Sequence, residues 1–366
     1  MPDTGFQPHP PKTPSLAMVI AIILLGGLGL FTRWPDPSNV LAPEGGRATF
    51  NNLVDFPQQY GQRFNSNFIF RDELIRLEYW TRYFVLRERV FPQVLVGSED
   101  WLYYTGEGNL DYFQRVKPLS EGQIGQIKVD LVKIQQTLEA DGIEFWLVVA
   151  PNKETIYPEY LPVGIKRADN PCWADQITES LAGTSVQVLD LRPVLMQARE
   201  TEQVYFKTDT HWNPLGARAA YEAILLALQP DFPILKPHLL DDFDQVTETE
   251  SGDLAGLIHL KGEIHESFTA LHARFEKPSR GLKNPPAGQM ITIMPDEKLP
   301  KAVIFRDSFF NGLQPFTSEH FSRVVYVSDL QYDPQLVAEE NPDVVILEVA
   351  ERYLNRLMDV LPVVEE

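Results

Sequence analysis

The chain has 366 residues, 44% of them hydrophobic and 23% charged, a composition typical of a folded globular protein and not of a disordered one. Its formal charge of −19 and the lack of a basic run that could neutralise a row of phosphates exclude nucleic acid as an expected partner. A strongly anionic ligand would need basic side chains collected in one cleft. The single cysteine, Cys172, excludes an intramolecular disulfide, and we expect an exposed, unreactive thiol.

Residues 16–31, "LAMVIAIILLGGLGLF", form an apolar segment inside a longer uncharged stretch. About 20 helical residues span roughly 30 Å, the thickness of the hydrocarbon core of a bilayer. We therefore predict a short tail over 1–15, a transmembrane anchor over 16–32 and a Pro- and Gly-rich linker over 33–66. The alternatives are a cleaved signal peptide, which would want a small-x-small site, and a buried core helix, which would keep a polar stripe.

A helix is predicted between Phe68 and Phe91, where apolar residues recur at near-helical spacing with five arginines between them. A solvated basic face is the simpler interpretation, and contact with anionic headgroups or an anionic glycan is the alternative. The segment 95–104 has a turn at Gly97 to Asp100 between apolar runs, which predicts a hairpin or an entry strand.

Helices and strands then alternate, which predicts an α/β domain with a mainly parallel, doubly wound sheet over 67–366. In chain order the predicted elements are a helix capped at Ser120, a strand at 143–150, a helix at 173–182, a strand at 186–191, a helix from Pro193, a strand at 204–206, a helix from Pro214 to Leu228, and strands at 301–305, 323–327 and 343–350. The alternation fails between Pro230 and Pro300, where short β-like pieces stand among Pro, Asp, Thr and Gly. We predict an irregular, β-rich insertion over 231–300 whose loops are available for substrate contacts.

The stretch "FKTDTHWNPLG", 206–216, places an acid and a histidine directly before a helix. Asn213 is a good N-cap and Pro214 suits the first helical position, so Asp209 and His211 lie on the loop that leads into the helix. In an extended loop, side chains two positions apart share one face. Such a pair needs a nucleophile or a metal to carry chemistry.

We predict no metal site and no cofactor. The candidate ligands His259, His265 and His272 are spaced by six and seven residues, which puts no tight pair on a helical face, and no HExxH motif is present.

Ser308, in "KAVIFRDSFFNG", is the best candidate nucleophile. It follows a short β-branched run, so it falls at the carboxyl end of a predicted strand, where open α/β sheets bind their ligands. A serine in such a turn presents its hydroxyl upward while its own N–H points at a developing oxyanion. The alternative is that Asp307 and Ser308 only cap the next helix.

Four stretches together resemble the AlgJ/AlgX-type (DHHW-like) family of polysaccharide O-acetyltransferases. They are Asp209-x-His211-Trp212, Asp307-Ser308-Phe309, "VVAPNKETIYPEYLP" at 148–162 and "GSEDWLYY" at 97–104. The resemblance covers most of the chain after the anchor, and it implies an SGNH-hydrolase-like domain with a circularly permuted motif order. Carried over by position, it makes Ser308 the nucleophile, His211 the general base and Asp209 the residue that orients His211.

Three further residues are candidates for substrate or oxyanion contacts. Arg306 stands where many SGNH motifs have glycine, and its guanidinium is suited either to the carboxylate of a sugar acid or to pairing with Asp307 or another acid. Asn152 and Lys153 follow another predicted strand; Asn152 is a candidate oxyanion-hole amide, with a turn-forming role as the alternative.

The resemblance implies that an acetyl group is moved onto hydroxyls of an exported polysaccharide and that a membrane-bound O-acyltransferase partner supplies it. It also places residues 1–15 in the cytoplasm and the catalytic domain in the periplasm, held by a single-pass anchor in the inner membrane. An extracytoplasmic esterase (deacetylase) is the first alternative, since the same triad can pass an acyl group to water. A non-catalytic glycan-binding scaffold is the second.

Overall fold

The computed structural model describes residues 54–59 and 71–361, which fall into two compact units. The first unit holds the described residues up to Glu88 together with Ile258–Glu263, and the second holds Arg89–Leu257 and the residues from Ile264 onward. The predicted tail, the predicted anchor at 16–32 and most of the predicted linker lie outside the described residues. None of the helices in the described ranges is both long enough and apolar enough to cross a membrane.

In the first unit, residues 54–59 are helical, and helix α1 spans Arg71–Trp80. A π-helical turn, Thr81–Val85, continues it. The predicted helix between Phe68 and Phe91 is therefore present but ends earlier than its apolar pattern suggested. Some of its basic side chains form ion pairs, as Arg82 does with Glu88 at 2.7 Å.

The second unit contains the sheets. Its strands among the described residues are β1 Val90–Phe91, β2 Val94–Val96, β3 Leu102–Tyr104, β4 Glu144–Ala150, β5 Gln187–Asp190, β6 Phe243–Glu250, β7 Glu266–Ala273, β8 Arg280–Gly281, β9 Gln289–Ile293, β10 Lys301–Phe305, β11 Arg323–Val327 and β12 Val344–Ala350. Its α-helices there are α2 Asn109–Gln114, α3 Glu121–Ala140, α4 Lys153–Ile156, α5 Trp173–Leu181, α6 Arg192–Ala198, α7 Pro214–Leu228, α8 Asp253–Leu257, α9 Gln314–Thr317, α10 Pro334–Glu340 and α11 Leu357–Val360. Short 3-10 helices occupy Ser98–Asp100, Pro158–Tyr160, Leu240–Asp242, Ser308–Gly312 and Glu351–Arg356.

The main sheet has the strand order β5-β4-β12-β10-β11-β9-β8. Its first five strands pair in parallel, which confirms the mainly parallel α/β sheet, while β9 and β8 add an antiparallel edge. The antiparallel strands β1, β2 and β3 form a separate small sheet, so the predicted hairpin at 95–104 is present. Strands β6 and β7 form a two-stranded hairpin.

The central strand β12 explains why the sheet is covered on both faces. All seven of its residues are buried, and its apolar side chains alternate between two hydrophobic cores. Helices α3, α5, α10 and α11 contribute to one core, and α6 and α7 contribute to the other. Helix α3 begins at Ser120 in the predicted capping box with Gln123, a device worth about 1 kcal/mol.

Two sequence expectations need correction. The predicted strand at 204–206 is reduced to one isolated bridge between Tyr205 and Trp212, because the chain turns back on itself there and does not pair with the sheet. The segment 231–300 is β-rich as predicted, but it is not wholly an insertion. Strand β9 pairs with β11 over five residues and buries Ile291, so the end of this segment is part of the main sheet.

Candidate active site

His211 and Ser308 meet at the carboxyl edge of the sheet. The Nε2 atom of His211 lies 2.8 Å from Oγ of Ser308, and its Nδ1 atom lies 2.7 Å from Oδ1 of Asp209. An ionised carboxylate only accepts hydrogen bonds, so the ring proton sits on Nδ1 and the lone pair of Nε2 faces the serine hydroxyl. This is the tautomer that a general base acting on Ser308 requires.

Asp209 is held in place on both of its oxygens. Oδ1 also accepts the main-chain N–H of His211 at 3.0 Å, and Oδ2 accepts the N–H of Asp253 at 2.8 Å. Burial acts to raise the pKa of Asp209, but the hydrogen bond and the charge of His211 outweigh it and bring the pKa to about 2. The carboxylate is therefore ionised at any ordinary pH.

Ser308 opens the 3-10 turn that follows β10, where the capping role predicted for "DSF" is present and the nucleophile role of Ser308 stays a prediction. Asp307 is the cap residue: its Oδ1 accepts the N–H of Phe309 at 2.8 Å and its Oδ2 accepts the N–H of Ala350 at 2.7 Å. Because Asp307 takes the capping role, the hydroxyl of Ser308 is left to face His211. The main-chain N–H of Ser308 has no acceptor among the residues that the structure describes.

Phe309 joins the two segments of the site. Its ring packs edge-on against His211 at 4.9 Å and against Trp212 at 5.0 Å between ring centroids, and it is fully buried. A further close approach occurs at Gly312, where a Cβ atom would lie 2.7 Å from Nε1 of Trp212. The serine turn and the histidine loop are thus packed into one body, which fixes the distance between Nε2 and Oγ.

Lys153 is buried beneath the histidine loop. Its ammonium group donates to the main-chain oxygens of Phe206 at 3.1 Å, Lys207 at 3.1 Å and Asp209 at 2.6 Å. These contacts use all three of its hydrogens, so the expected substrate or oxyanion contact is replaced by support of the loop. Burial lowers the pKa of Lys153 to about 8.

Arg306 likewise supports the site from within. It is buried and donates to the main-chain oxygen of Asp307 at 3.1 Å, to Oδ1 of Asn311 at 2.8 Å and to Oγ of Ser328 at 3.0 Å. None of these contacts is an ion pair with Asp307 or another acid, and binding of a sugar-acid carboxylate stays a prediction. Arg306 instead anchors the main chain of the serine turn.

Asn152 is buried just after β4, at the N-cap position of the short helix α4, and its side chain makes no capping hydrogen bond. Its main-chain N–H donates to Glu351 at 2.8 Å, its side-chain amide donates to Asn109 at 2.8 Å, and its Oδ1 accepts from Arg352 at 3.3 Å. The guanidinium of Arg352 in turn lies 5.1 Å over the ring of Phe309. Asn152 therefore belongs to a polar network that reaches the residue after Ser308, and the turn-forming role that the sequence allowed is present.

Comparison with known proteins identifies the family. Residues 94–279 match the family model described as an SGNH hydrolase-like domain of the acetyltransferase AlgX. The chain belongs to this AlgX family. The matched residues include Asp209 and His211, while Ser308 lies beyond them.

Curated relatives and solved structures agree with this membership. The probable alginate O-acetylase AlgJ of Pseudomonas putida is 28% identical over 166 residues, 45% of this chain and 40% of the relative. The protein of the same description from Pseudomonas aeruginosa is 28% identical over 151 residues, 41% of this chain and 35% of the relative. The chain thus aligns with about two fifths of the length of these relatives. The structure of Bacillus cereus PatB1 is similar with a TM-score of 0.54 at 18% identity, covering 71% of this chain and 96% of that one, which shows the SGNH-hydrolase-like fold.

The sequence of this AlgX-type domain gave no sign of Asp253. This residue begins α8, and its Oδ1 accepts from the N–H of Thr210 at 2.7 Å and from its hydroxyl at 3.1 Å. Its Oδ2 lies 3.8 Å from Nδ1 of His211. Burial raises the pKa of Asp253, and the neighbouring charge of Asp209 raises it further. An acid in an irregular, aspartate-rich stretch carries no local signal that would distinguish it.

Asp209, His211 and Asp253 together offer one ring nitrogen and two carboxylate oxygens within 4.8 Å of one another, a set that suits a metal ion. Metal binding at Nδ1 would displace the hydrogen bond to Asp209, so a metal centre and the triad arrangement exclude each other. The histidines that the sequence considered for zinc do not take part in this set.

Glu266 and Gly252 also support the histidine loop. Glu266, on β7, accepts the N–H groups of Lys207 and Thr208, each at 2.6 Å. Gly252 runs so close to the loop that a Cβ atom would lie 2.3 Å from the main-chain oxygen of Thr208 and 2.5 Å from the main-chain nitrogen of Asp209. The segment 231–300, predicted to offer substrate contacts, thus supplies residues that fix Asp209 and His211.

Cys172 is buried, which corrects the expectation of an exposed thiol. Burial raises its pKa, so the thiol form is favoured and the expectation of an unreactive group is consistent with its surroundings.

Proposed function

We propose that this protein is an O-acetyltransferase that carries an acetyl group on Ser308 and passes it to hydroxyl groups of an exported polysaccharide. The observation that carries the proposal is the chain of short hydrogen bonds from Asp209 through His211 to Ser308. The family description as an acetyltransferase and the relatives named as alginate O-acetylases support the reaction class.

The reaction proceeds in two acyl transfers. Nε2 of His211 takes the hydroxyl proton as Oγ of Ser308 attacks the acetyl carbonyl of the donor. The bond from the acyl carbon to the donor's leaving atom breaks, and the imidazolium returns the proton to that atom. In the second step Nε2 takes the proton of a sugar hydroxyl, whose oxygen attacks the carbonyl carbon of the acetyl-serine. The bond from that carbon to Oγ of Ser308 then breaks, and Oγ receives the proton from the imidazolium.

Each tetrahedral intermediate places a negative charge on the former carbonyl oxygen. The N–H of Ser308, at the start of its turn, is the first donor available to that oxyanion. One such donor is worth roughly 3 kcal/mol of transition-state stabilisation. Asp209 stabilises the imidazolium that forms in both steps, because it stays ionised and keeps its hydrogen bond to Nδ1. The chemistry calls for no cofactor.

The proposal also includes a partner protein and a cellular location. A membrane-bound O-acyltransferase supplies the acetyl group, residues 16–32 anchor the chain in the inner membrane, and the catalytic domain works in the periplasm. The apolar length of the segment supports the anchor.

An extracytoplasmic esterase is the second candidate, and one observation favours it. The side chains of Asp209 and His211 are 22% and 26% exposed, so water reaches the base that would activate it. An acetyl-serine would then be hydrolysed in place of being transferred.

The test incubates the purified chain with an activated acetyl ester, with and without candidate oligosaccharides, and follows acetate and acetylated sugar by mass spectrometry. We expect acetylated sugar from the wild type, and a loss of at least 10³-fold in Ser308→Ala and in His211→Ala, because both acyl transfers need these groups. Ser98→Ala, at an exposed serine, is the matched control. Acetate without acetylated sugar would identify the esterase, and undiminished activity in Ser308→Ala would refute the triad.

A further inference from the structure

A cleft of about 410 Å³ lies in the second unit at the carboxyl ends of β4, β5 and β12. Its volume is in the range of sites for small organic ligands. Three arginines, Arg115, Arg167 and Arg192, line it together with two acids, Asp190 and Glu351, so basic groups outnumber acidic ones there in a chain whose formal charge is −19. Such a collection is what an anionic ligand requires on an acidic protein.

One of the three arginines is already neutralised. Arg192 lies 2.7 Å from Asp175 and 2.7 Å from Asp190, and it is 3.8 Å from the buried Glu351. It also donates to the sulfur of Cys172 at 3.2 Å. Its charge is therefore used within the protein, and its role is to hold one wall of the cleft.

Neither of the other two arginines forms a close ion pair among the described residues, although the charge of Glu351 acts on Arg167 and that of Asp175 on Arg115. Arg115 donates to the main-chain oxygen of Asn170 at 3.1 Å, and Arg167 lies with its guanidinium 4.6 Å over the ring of Phe113. Burial lowers the pKa of Arg167 and the charge of Arg115 lowers it further, while the charge of Glu351 offsets part of this effect, so the two cations repel each other. A shared anion would convert this repulsion into two charge-assisted contacts.

The backbone at Arg115 is held in a defined conformation. The residue caps the end of α2 with φ at 56°, the left-handed region that a non-glycine residue rarely adopts. The amide of Asn170 donates back to the main-chain oxygen of Arg115 at 2.9 Å, so the two segments that carry the arginines are tied together. Each guanidinium group thus contacts one of these two segments, which lowers the entropy cost of binding a ligand.

The remaining walls of the cleft are suited to the carbon skeleton of an organic ligand. Phe113, Pro193 and Met196 offer apolar surface, and the hydroxyl of Thr155 lies on the same side, where it donates to Glu351 at 2.6 Å. Simple inorganic anions would leave most of this volume unfilled.

We propose that this cleft binds a small organic anion whose carboxylate or phosphate group is held between Arg115 and Arg167. Glu351 connects the cleft to the polar network of the candidate active site, since its Oε2 accepts from Asn152, which contacts Arg352 beside Phe309. Binding itself requires no acyl transfer, so it can be measured on Ser308→Ala as well as on the wild type.

Calorimetric titration of the full chain tests the proposal with four probes: glucuronate, glucose 1-phosphate, inorganic phosphate and glucose. We expect saturable binding of glucuronate or glucose 1-phosphate that weakens as salt is added, and no binding of glucose. The stronger of the two probes identifies carboxylate or phosphate as the recognised group. Arg115→Gln and Arg167→Gln are each expected to weaken binding by about tenfold or more, the scale of one lost charge-assisted contact.

Arg280→Gln is the matched control, because it removes the same charge from an exposed arginine whose contacts are main-chain oxygens. It is expected to bind as the wild type does. Binding of inorganic phosphate alone, affinity that is equal in all three variants, or no binding of any anion would overturn the proposal. Ser308→Ala is expected to bind the anion as the wild type does. The binding result therefore does not depend on the outcome of the acetylation assay.

Discussion

His211 is the residue on which the candidate site depends. Its two ring nitrogens contact Asp209, two positions before it, and Ser308, 97 positions after it. The first contact is local and was foreseen from the spacing of the two side chains. The second is long-range, and it required the serine turn and the histidine loop to meet at one edge of the sheet.

Asp253 gives a prediction at the residue scale. Replacing the orienting carboxylate of a Ser-His-Asp triad costs on the order of 10⁴-fold in kcat. We expect Asp209→Ala to cost less, on the order of 10²-fold, because the carboxylate of Asp253 already lies 3.8 Å from Nδ1 and can move to accept its proton. Alanine is preferred to asparagine, whose amide can donate to Nδ1 and favour the wrong tautomer.

The measurement is a double-mutant cycle on kcat with Asp209→Ala, Asp253→Asn and the double variant. Asp253→Asn alone is expected to cost about tenfold or less, and the double variant more than the product of the two single losses. Losses that simply multiply would show that Asp253 does not substitute for Asp209.

At the scale of elements, the histidine loop is held from three sides. Lys153 on α4 binds its carbonyl oxygens, Glu266 on β7 binds its N–H groups, and the chain at Gly252 packs directly on it. The loop thus has a defined shape although no sheet strand includes it. This is a physical reason why the histidine of the candidate site can be carried on a loop.

Gly252→Ala is expected to displace the loop and lower kcat by about 10²-fold, the order of loss that a misplacement of roughly 1 Å causes. The reason is steric, since the new Cβ atom would lie 2.3 Å from the main-chain oxygen of Thr208. Steady-state kinetics of acetyl transfer are the measurement, with circular dichroism to establish that the variant folds.

Gly256→Ala, on the adjacent helix α8, is the control, because a Cβ atom there meets no neighbouring atom within 4 Å. It should leave kcat unchanged. Wild-type kcat in Gly252→Ala would mean that the loop tolerates the displacement and that its position does not limit the reaction.

The sequence predicted the central elements well and the peripheral ones less well. Strands β4, β10, β11 and β12 were found because continuous β-branched runs of strand length have few alternatives to a doubly covered sheet. The short run at 204–206 has the same composition, but it pairs with Trp212 in place of a sheet strand. Strand pairing is decided by contacts between distant segments, which composition does not encode.

At the scale of the whole molecule, a buried histidine couples folding to pH. His320 is 6% exposed, and its Nε2 lies 2.6 Å from the hydroxyl oxygen of Tyr221, which also accepts the main-chain N–H of His238. Burial, and then the neighbouring His238, lower the pKa of His320 to about 4 from its ordinary 6.5. The unfolded chain therefore binds more protons than the folded one between these two values.

It follows that the free energy of unfolding falls as pH is lowered from about 6.5 to 4, by roughly 2 to 3 kcal/mol from this group. His320→Gln keeps an acceptor for Tyr221 and removes the titration, so its stability should depend less on pH over this window. Urea denaturation at pH 7 and pH 4.5 measures the difference. His272→Gln, at an exposed histidine, is expected to follow the wild type, and an equal pH slope in His320→Gln would contradict the assignment.

The proposed anchor gives a second prediction for the whole chain. We expect the full chain to sediment with membranes and to be released by detergent but not by salt, because an apolar span is held by the hydrocarbon core. A chain that begins at residue 33 is expected in the soluble fraction. Mass spectrometry of the membrane-derived protein provides the control: an N-terminus beyond residue 32 would show a cleaved signal peptide in place of an anchor.

The sequence by itself determined the fold class and two local arrangements at the site: Asp209 beside His211, and Ser308 at the end of a buried strand. Both follow from short-range rules of strand, cap and turn formation, which act within a few residues. The tertiary structure alone decided that Lys153 and Arg306 donate to main-chain oxygens near the site, and that Asp253, Gly252 and Glu266 contact the histidine loop. Those roles depend on which atoms meet after the chain folds, because a buried donor is bound by whichever acceptor lies within reach.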